Sequence, residues 1–360
     1  MHFAALTALT LLLLCPPRDI RGDLAKADRL FERQRWEAAA DLYDQVTAAD
    51  PSQGEAWFHL GFARHQQGEY EAACVAHERA AADPRFRPTA LYNLACARTL
   101  LGQIEEGAEA LKTALDAGFL DFDTMATDTD IAPLRDAGHL TLAPERTYTP
   151  YKHSNRVTCG YEVILPAGAD PTQKRPALVC FAPGSGRERS ADWFTANVLA
   201  DGASKAGWTV IVLVAPAKGW QNHPAHHALE GLLKKVRKEH AIEGKFHSLG
   251  YADGARSAAT YARMSRKYFA TLTTVSSRAW KNWGDPGKSF RDGMPVHVIA
   301  GAADVTAVAE ARFVEEDFEK HDGNCLVTIV PEDGRLVTSL RGAELFEAIE
   351  STTGLAAAKR

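Results

Sequence analysis

Hydrophobic positions change their spacing near residue 147. Upstream they recur at helical intervals; downstream they fall into short runs of strand length. Residues 157–165 alternate apolar and polar positions and stop at Pro166, which predicts a strand with one covered face. Residues 177–181 (ALVCF) and 208–214 (WTVIVLV) are unbroken apolar runs, the pattern of strands buried on both faces. Residues 225–240 place Leu229, Leu232, Leu233 and Val236 on one side of an amphipathic helix. Further strands are expected from Phe246 and over 269–277, 295–300 and 325–330, with helices following Gly254 and beginning near Ala307. Strands that alternate with helices in this way predict a doubly wound, mostly parallel sheet.

The upstream half repeats itself every 34 residues. Trp36, Tyr70 and Ile104 are in step, as are Glu37, Glu71 and Glu105, Ala39 and Ala73, Gly68 and Gly102, and Ala80 and Ala114. That period and the run Trp57, Leu60, Gly61, Gly68, Tyr70, Ala73, Ala80, Pro84 resemble the tetratricopeptide repeat, an all-α solenoid of antiparallel helix pairs. Three units fit between residues 23 and 139. The last runs into GFLDFDTMATDTDIAPLRDAGHL, which looks like a closing segment capped by Ile131, Ala132, Pro133 and Leu134. The resemblance implies a concave surface that takes a protein or peptide partner.

The downstream chemistry centres on FHSLGYADGARSAATY, residues 246–261. Strand, glycine-bounded turn and alanine-rich helix have the layout of the nucleophile elbow G-x-S-x-G, but Ala252 stands at the reactive position. With the leading alternating strand and the order of helix, short turn, strand and elbow, this stretch resembles the α/β-hydrolase domain of polyhydroxybutyrate-depolymerase-like and feruloyl-esterase-like enzymes. The resemblance puts the oxyanion-hole loop at Gly184, Ser185 and Gly186, with Pro183 in place of the family's histidine. It puts the triad acid at Asp304, in the sequence Gly301, Ala302, Ala303, Asp304, and the base at Arg335, where relatives carry histidine. Asp304 also reads as a helix cap. A methyl group cannot attack a carbonyl, and a guanidinium stays protonated and cannot accept a proton. No catalytic residue is therefore expected at Ala252, Asp304 and Arg335.

Substitutes for the missing groups are few. Asp253 would act as nucleophile only if the elbow shifted by one residue, which puts Tyr251 where a small side chain is needed, and Tyr251 itself titrates too high to attack. His223, His226 and His227 follow a strand at the carboxyl edge and could serve Ser185, the arrangement of an active serine-type hydrolase with a rearranged site. Trp220, Tyr251, Trp280 and Trp283 are candidates for the lining of a pocket open to a small ester-like or carbohydrate ligand.

Composition narrows this only at the margins. The chain has 360 residues, 46% hydrophobic and 24% charged, with a formal net charge of −5. No basic stripe with interleaved aromatics points to nucleic acid. Six scattered cysteines without a C-x-x-C pair and the cluster His223, His226, His227 give no fixed ligand set, so neither metal nor cofactor is expected. Residues 3–15 (FAALTALTLLLLC) have the length of a signal-peptide core, which predicts an exported, bacterial-type protein; lipidation at Cys15 is disfavoured by Leu14. The expected organisation is a signal peptide or anchor over 1–22, repeats over 23–139, a linker over 140–156 and an α/β-hydrolase-like domain over 157–355. The expected role is non-catalytic binding or scaffolding.

Overall fold

A computed structural model describes residues 19–153, 157–184, 187–216, 219–220, 223–278, 280, 284–290, 293–337 and 339–358. The chain divides into two compact units. One comprises Met1–Leu115 with Thr129–Leu140, the other Asp116–Asp128 with Thr141–Arg360. The apolar core of the predicted signal segment, residues 3–15 with Cys15, lies outside the described residues.

The first unit is a stack of helices: α1 (Ile20–Glu32), α2 (Trp36–Ala49), α3 (Gly54–Gln66), α4 (Tyr70–Ala80), α5 (Arg87–Leu100) and α6 (Ile104–Asp116). Its period is visible in the backbone. Gln34, Gly68 and Gly102 all take the left-handed conformation, with φ of 56°, 77° and 76°. The next residue closes the same bond each time: the N–H groups of Arg35, Glu69 and Gln103 donate to the carbonyls of Leu30, Arg64 and Arg98 at 2.9, 3.0 and 3.0 Å. Small residues then let the helices approach: Ala39, Ala40, Ala56, Ala63 and Ala73 are fully buried, and a Cβ on Gly61 would lie 2.5 Å from the His77 ring. Ile131 and Leu134, expected to cap the stack, are fully buried beside the short α8 (Ala132–Asp136), which follows α7 (Phe122–Thr127) in the chain.

The second unit holds one eight-stranded sheet in the order β1-β2-β4-β3-β5-β6-β7-β8. The strands are β1 (Thr149–His153), β2 (Val157–Ile164), β3 (Ala177–Phe181), β4 (Thr209–Val214), β5 (Phe246–Tyr251), β6 (Phe269–Val275), β7 (Val296–Gly301) and β8 (Cys325–Val330). The pairings of β1 with β2 and of β2 with β4 are antiparallel, and all others are parallel. Its longer helices are α9 (Glu188–Phe194), α10 (His223–Glu239), α11 (Gly254–Met264), α12 (Val305–Lys320) and α13 (Ala343–Ala358). β3 and β4 run as expected of strands covered on both sides, every residue buried. This is the strand order of the α/β-hydrolase fold. The connection from β3 goes outward to β4 and then returns across β3 to β5. The loops leaving β3 and β5 therefore stand side by side at the carboxyl edge, the reversal point at which open α/β sheets form their sites.

Two boundaries differ from the sequence expectation. Residues 149–153, placed in a linker, form the edge strand β1; its alternation is masked by Pro150 and Lys152, which an edge tolerates. Asp116–Asp128, read as part of the array's closing segment, belongs to the second unit.

Candidate functional site

The elbow is present in full geometry. Ala252 has φ 49°, its N–H donates to the Val275 carbonyl at 2.8 Å, and its carbonyl accepts from Ala255 N–H at 3.1 Å. Both flanking glycines are required by contact. A Cβ on Gly250 would lie 2.6 Å from that of Ala258, and one on Gly254 would collide with the carbonyls of Phe181 and Ala182. The turn thus holds a side chain at the strand end in the orientation a nucleophile needs, and what it holds is a methyl group.

Asp304 sits where the acid belongs, 4% exposed, after β7. Its carboxylate has two employments. Oδ1 caps α12 by accepting from Ala307 N–H at 3.0 Å, and both oxygens take the Arg278 guanidinium, at 2.8 and 3.1 Å. A bidentate arginine here leaves the carboxylate neutralised rather than free to orient an imidazole.

Arg335 lies in the base position and reaches the elbow, donating from Nη2 to Asp253 Oδ1 at 3.1 Å. Burial pulls its pKa down, Asp253 pulls it up and Arg278 pushes it down again, so the two guanidinium groups and Asp304 share one neighbourhood. A guanidinium keeps its proton even so. Its loop is fixed from three sides: Ala303 N–H donates to the Asp333 carbonyl at 2.9 Å, Val337 N–H donates to Tyr251 Oη at 2.8 Å, and Ser339 N–H donates to Asp333 at 3.1 Å. The fold therefore brings Ala252, Asp304 and Arg335 together. Asp253, 60% exposed at its side chain, points outward to Arg335.

The other candidates divide. Gly184 occupies the loop after β3 at φ 63°, while Ser185 and Gly186 lie outside the described residues, as does Trp283. Trp220, Tyr251 and Trp280 are 6%, 1% and 2% exposed and have packing partners: Trp220 against Phe181 and Tyr261, Tyr251 against Phe194, and Trp280 against Phe290. Among the described histidines of this unit, His247 bonds Thr271 at 2.8 Å and His297 bonds Thr328 at 2.8 Å. His226 lies 3.5 Å from Ser265, at the far end of α11 from the elbow and about 16 Å along that helix. The His223 side chain is outside the described residues.

Three features escaped sequence reasoning. Arg278 follows β6 at the same carboxyl edge as the elbow, and that placement was the available signal. Ser276, beside it, is fully buried at φ 52° with its hydroxyl unpartnered among the described residues. The third is the segment leading into α7, which belongs to the second unit.

Comparison with known proteins gives separate matches to the two halves. The model of the tetratricopeptide repeat family matches residues 24–90. The mouse (Mus musculus) protein O-mannosyl-transferase TMTC1 is 34% identical over 83 residues, 22% of this chain and 9% of that protein, so the chain spans a small part of that relative. Among solved structures, a thermostable esterase overlaps 58% of this chain and 62% of its own at 15% identity, with a TM-score of 0.44. The dienelactone hydrolase of Anabaena variabilis overlaps 59% of this chain and 97% of its own at 13% identity and 0.43. The S-formylglutathione hydrolase of Agrobacterium tumefaciens overlaps 61% and 99% at 12% and 0.44. Overlaps of that size carry nothing about activity; the hydrolase-like fold stands on strand order and elbow geometry. The chain joins a tetratricopeptide array to an α/β-hydrolase-like unit.

Proposed function

We propose that this protein is a non-catalytic pseudo-hydrolase, in which the array recruits a protein or peptide and the hydrolase-like unit serves as scaffold. The observation that carries the reading is the chemistry at one point. The elbow presents a methyl group, the acid is paired with Arg278, and the base position holds a second guanidinium. Attack needs a nucleophile and a proton acceptor together, and these three positions supply neither. Export, inferred from residues 3–15, belongs to the same proposal.

The purified chain is expected to give no covalent adduct with a serine-directed fluorophosphonate and no turnover of short-chain aryl esters above buffer. Labelling or turnover that disappears in Ser185→Ala would replace this reading with that of a rearranged serine hydrolase.

A further inference from the structure

The segment Asp116–Asp128 lies between the last long helix of the array and α8, yet it is part of the second unit. Its contacts there form a line. Gly118, at φ 97°, has the Arg335 side chain against its α-carbon, so that a Cβ would overlap the aliphatic stem of that arginine. Two residues on, the Leu120 carbonyl accepts from Ser190 Oγ at 3.3 Å and faces Gly184, where a Cβ would sit 2.5 Å from it. Asp123 accepts from Ser190 Oγ at 3.2 Å and from Arg189 N–H at 3.3 Å. Phe122 stacks on Trp193, ring centroids 4.8 Å apart and planes at 15°, and Trp193 in turn meets the edge of Tyr251. Leu120, Phe122 and Met125 are 3%, 4% and 0% exposed.

These contacts have a meaning because of what lies at their two ends. Arg335 is bonded to Asp253, the residue after Ala252, and Gly184 follows the Phe181 and Ala182 carbonyls that pack against Gly254. Arg335 and Gly184 thus both neighbour the elbow, and a chain that touches Arg335 at Gly118 and Gly184 at Leu120 has about 7 Å in which to pass from one to the other. We propose that residues 118–125 occupy the substrate cleft of the hydrolase-like unit, which makes that cleft an intramolecular docking groove for the chain's own segment. Backbone and carboxylate bonds at Ser190 and Arg189 fix the segment's register, and the Phe122–Trp193 stack supplies apolar burial. The inference goes beyond the non-catalytic reading and holds whether or not an ester is turned over, since it concerns access to the elbow. It also accounts for two left-handed glycines, Gly118 and Gly184, as points where a side chain would keep the two sides of the contact apart.

A cysteine placed at the elbow reads that access directly. Ala252→Cys puts a thiol in a tryptic peptide, residues 246–256, that contains no native cysteine, so its modification by a maleimide is followed by mass spectrometry without interference. In the full chain the introduced thiol is expected to react slowly. Adding Phe122→Ala and Asp123→Ala, which remove the stack and the carboxylate bonds, is expected to raise its rate about tenfold or more by releasing the segment. Should that combination unfold the unit, as judged by near-ultraviolet circular dichroism, Asp123→Ala alone in the Ala252→Cys background keeps the test, with an expected rise of about threefold. Equal rates with and without the release substitutions in folded protein, or fast modification in the parent, would overturn the proposal.

Discussion

Gln34 in the array and Ala252 at the elbow are both non-glycine residues in the left-handed conformation, and different forces hold them there. At Gln34 the stabilising bonds are local, donated by Gln34 N–H to Phe31 at 2.8 Å and by Arg35 N–H to Leu30 at 2.9 Å, and the same turn recurs with glycine at 68 and 102. At Ala252 the constraints come from distant strands. Val275 accepts its N–H, Gly254 is pressed on the Phe181 and Ala182 carbonyls, and Gly250 is pressed on α11. The array therefore carries its strain one repeat at a time, whereas the elbow is over-determined by its surroundings and holds its conformation with a methyl group at the tip.

The strongest way to break this contrast is to give each turn a side chain. Gly254→Val pushes a branched carbon into backbone that cannot move without separating β3 from α11. A cost above about 4 kcal/mol is expected, enough to abolish the cooperative unfolding of the second unit. Gly68→Ala meets nothing within 4 Å and pays only for its φ of 77°, about 1 kcal/mol. Urea titrations followed by near-ultraviolet circular dichroism separate the two. Comparable losses would mean that local geometry, not tertiary contact, governs both turns.

Acid should sharpen the contrast next. In the second unit burial lowers the pKa of His247 and of His297 to about 4; in the array burial, with His65 adding, lowers that of His77 to about 3. Each folded value lies below the ordinary 6.5, so each ring is neutral in the native state. The stability is complete above about pH 6.5 and falls as the pH drops, because the unfolded chain takes up protons that the native one refuses. The loss ends near pH 4 in the second unit, at no more than about 3 kcal/mol per histidine, and continues towards pH 3 in the array. His297→Asn should flatten the second unit's profile between pH 6.5 and 4 and leave the array's unchanged. A profile unaltered by that substitution would remove His297 as a cause.

What could be read in the chain follows the same division between local and distant causes. The 34-residue step and the strands over 177–181 and 325–330 were legible because hydrophobic spacing and glycine placement are written within a few residues. The elbow turn was legible too, since Gly250, Ala252 and Gly254 lie within five residues of one another, and so was the placement of Asp304 and Arg335 just after strands. Arg278 was not, because its meaning comes from Asp304, 26 residues away and beyond another strand. Residues 116–128 were misplaced for a related reason. Leu120, Phe122 and Met125 announce a buried face, but the surface they meet includes Gly184, Ser190, Trp193 and Arg335, and no local pattern names that surface. The edge strand β1 went unseen because exposed positions erase its alternation.

The smallest expected effects test the turns through glycine itself. Gln34→Gly relieves the left-handed strain and adds flexibility to the unfolded chain. These terms nearly cancel, and with Gln34 exposed no packing is lost, so a gain of up to about 0.5 kcal/mol is expected. Ala252→Gly relieves the same kind of strain but also removes a methyl group from a residue only 3% exposed, a loss of about 0.8 kcal/mol of burial before any cavity is counted. The net change at the elbow should therefore be destabilising, by about 0.5–1 kcal/mol. The two substitutions are chemically alike and should differ in sign, which thermal unfolding of the pair against the parent resolves. If Ala252→Gly instead stabilises as Gln34→Gly does, the methyl group packs against nothing, and the elbow is strained backbone that its neighbours tolerate rather than enforce.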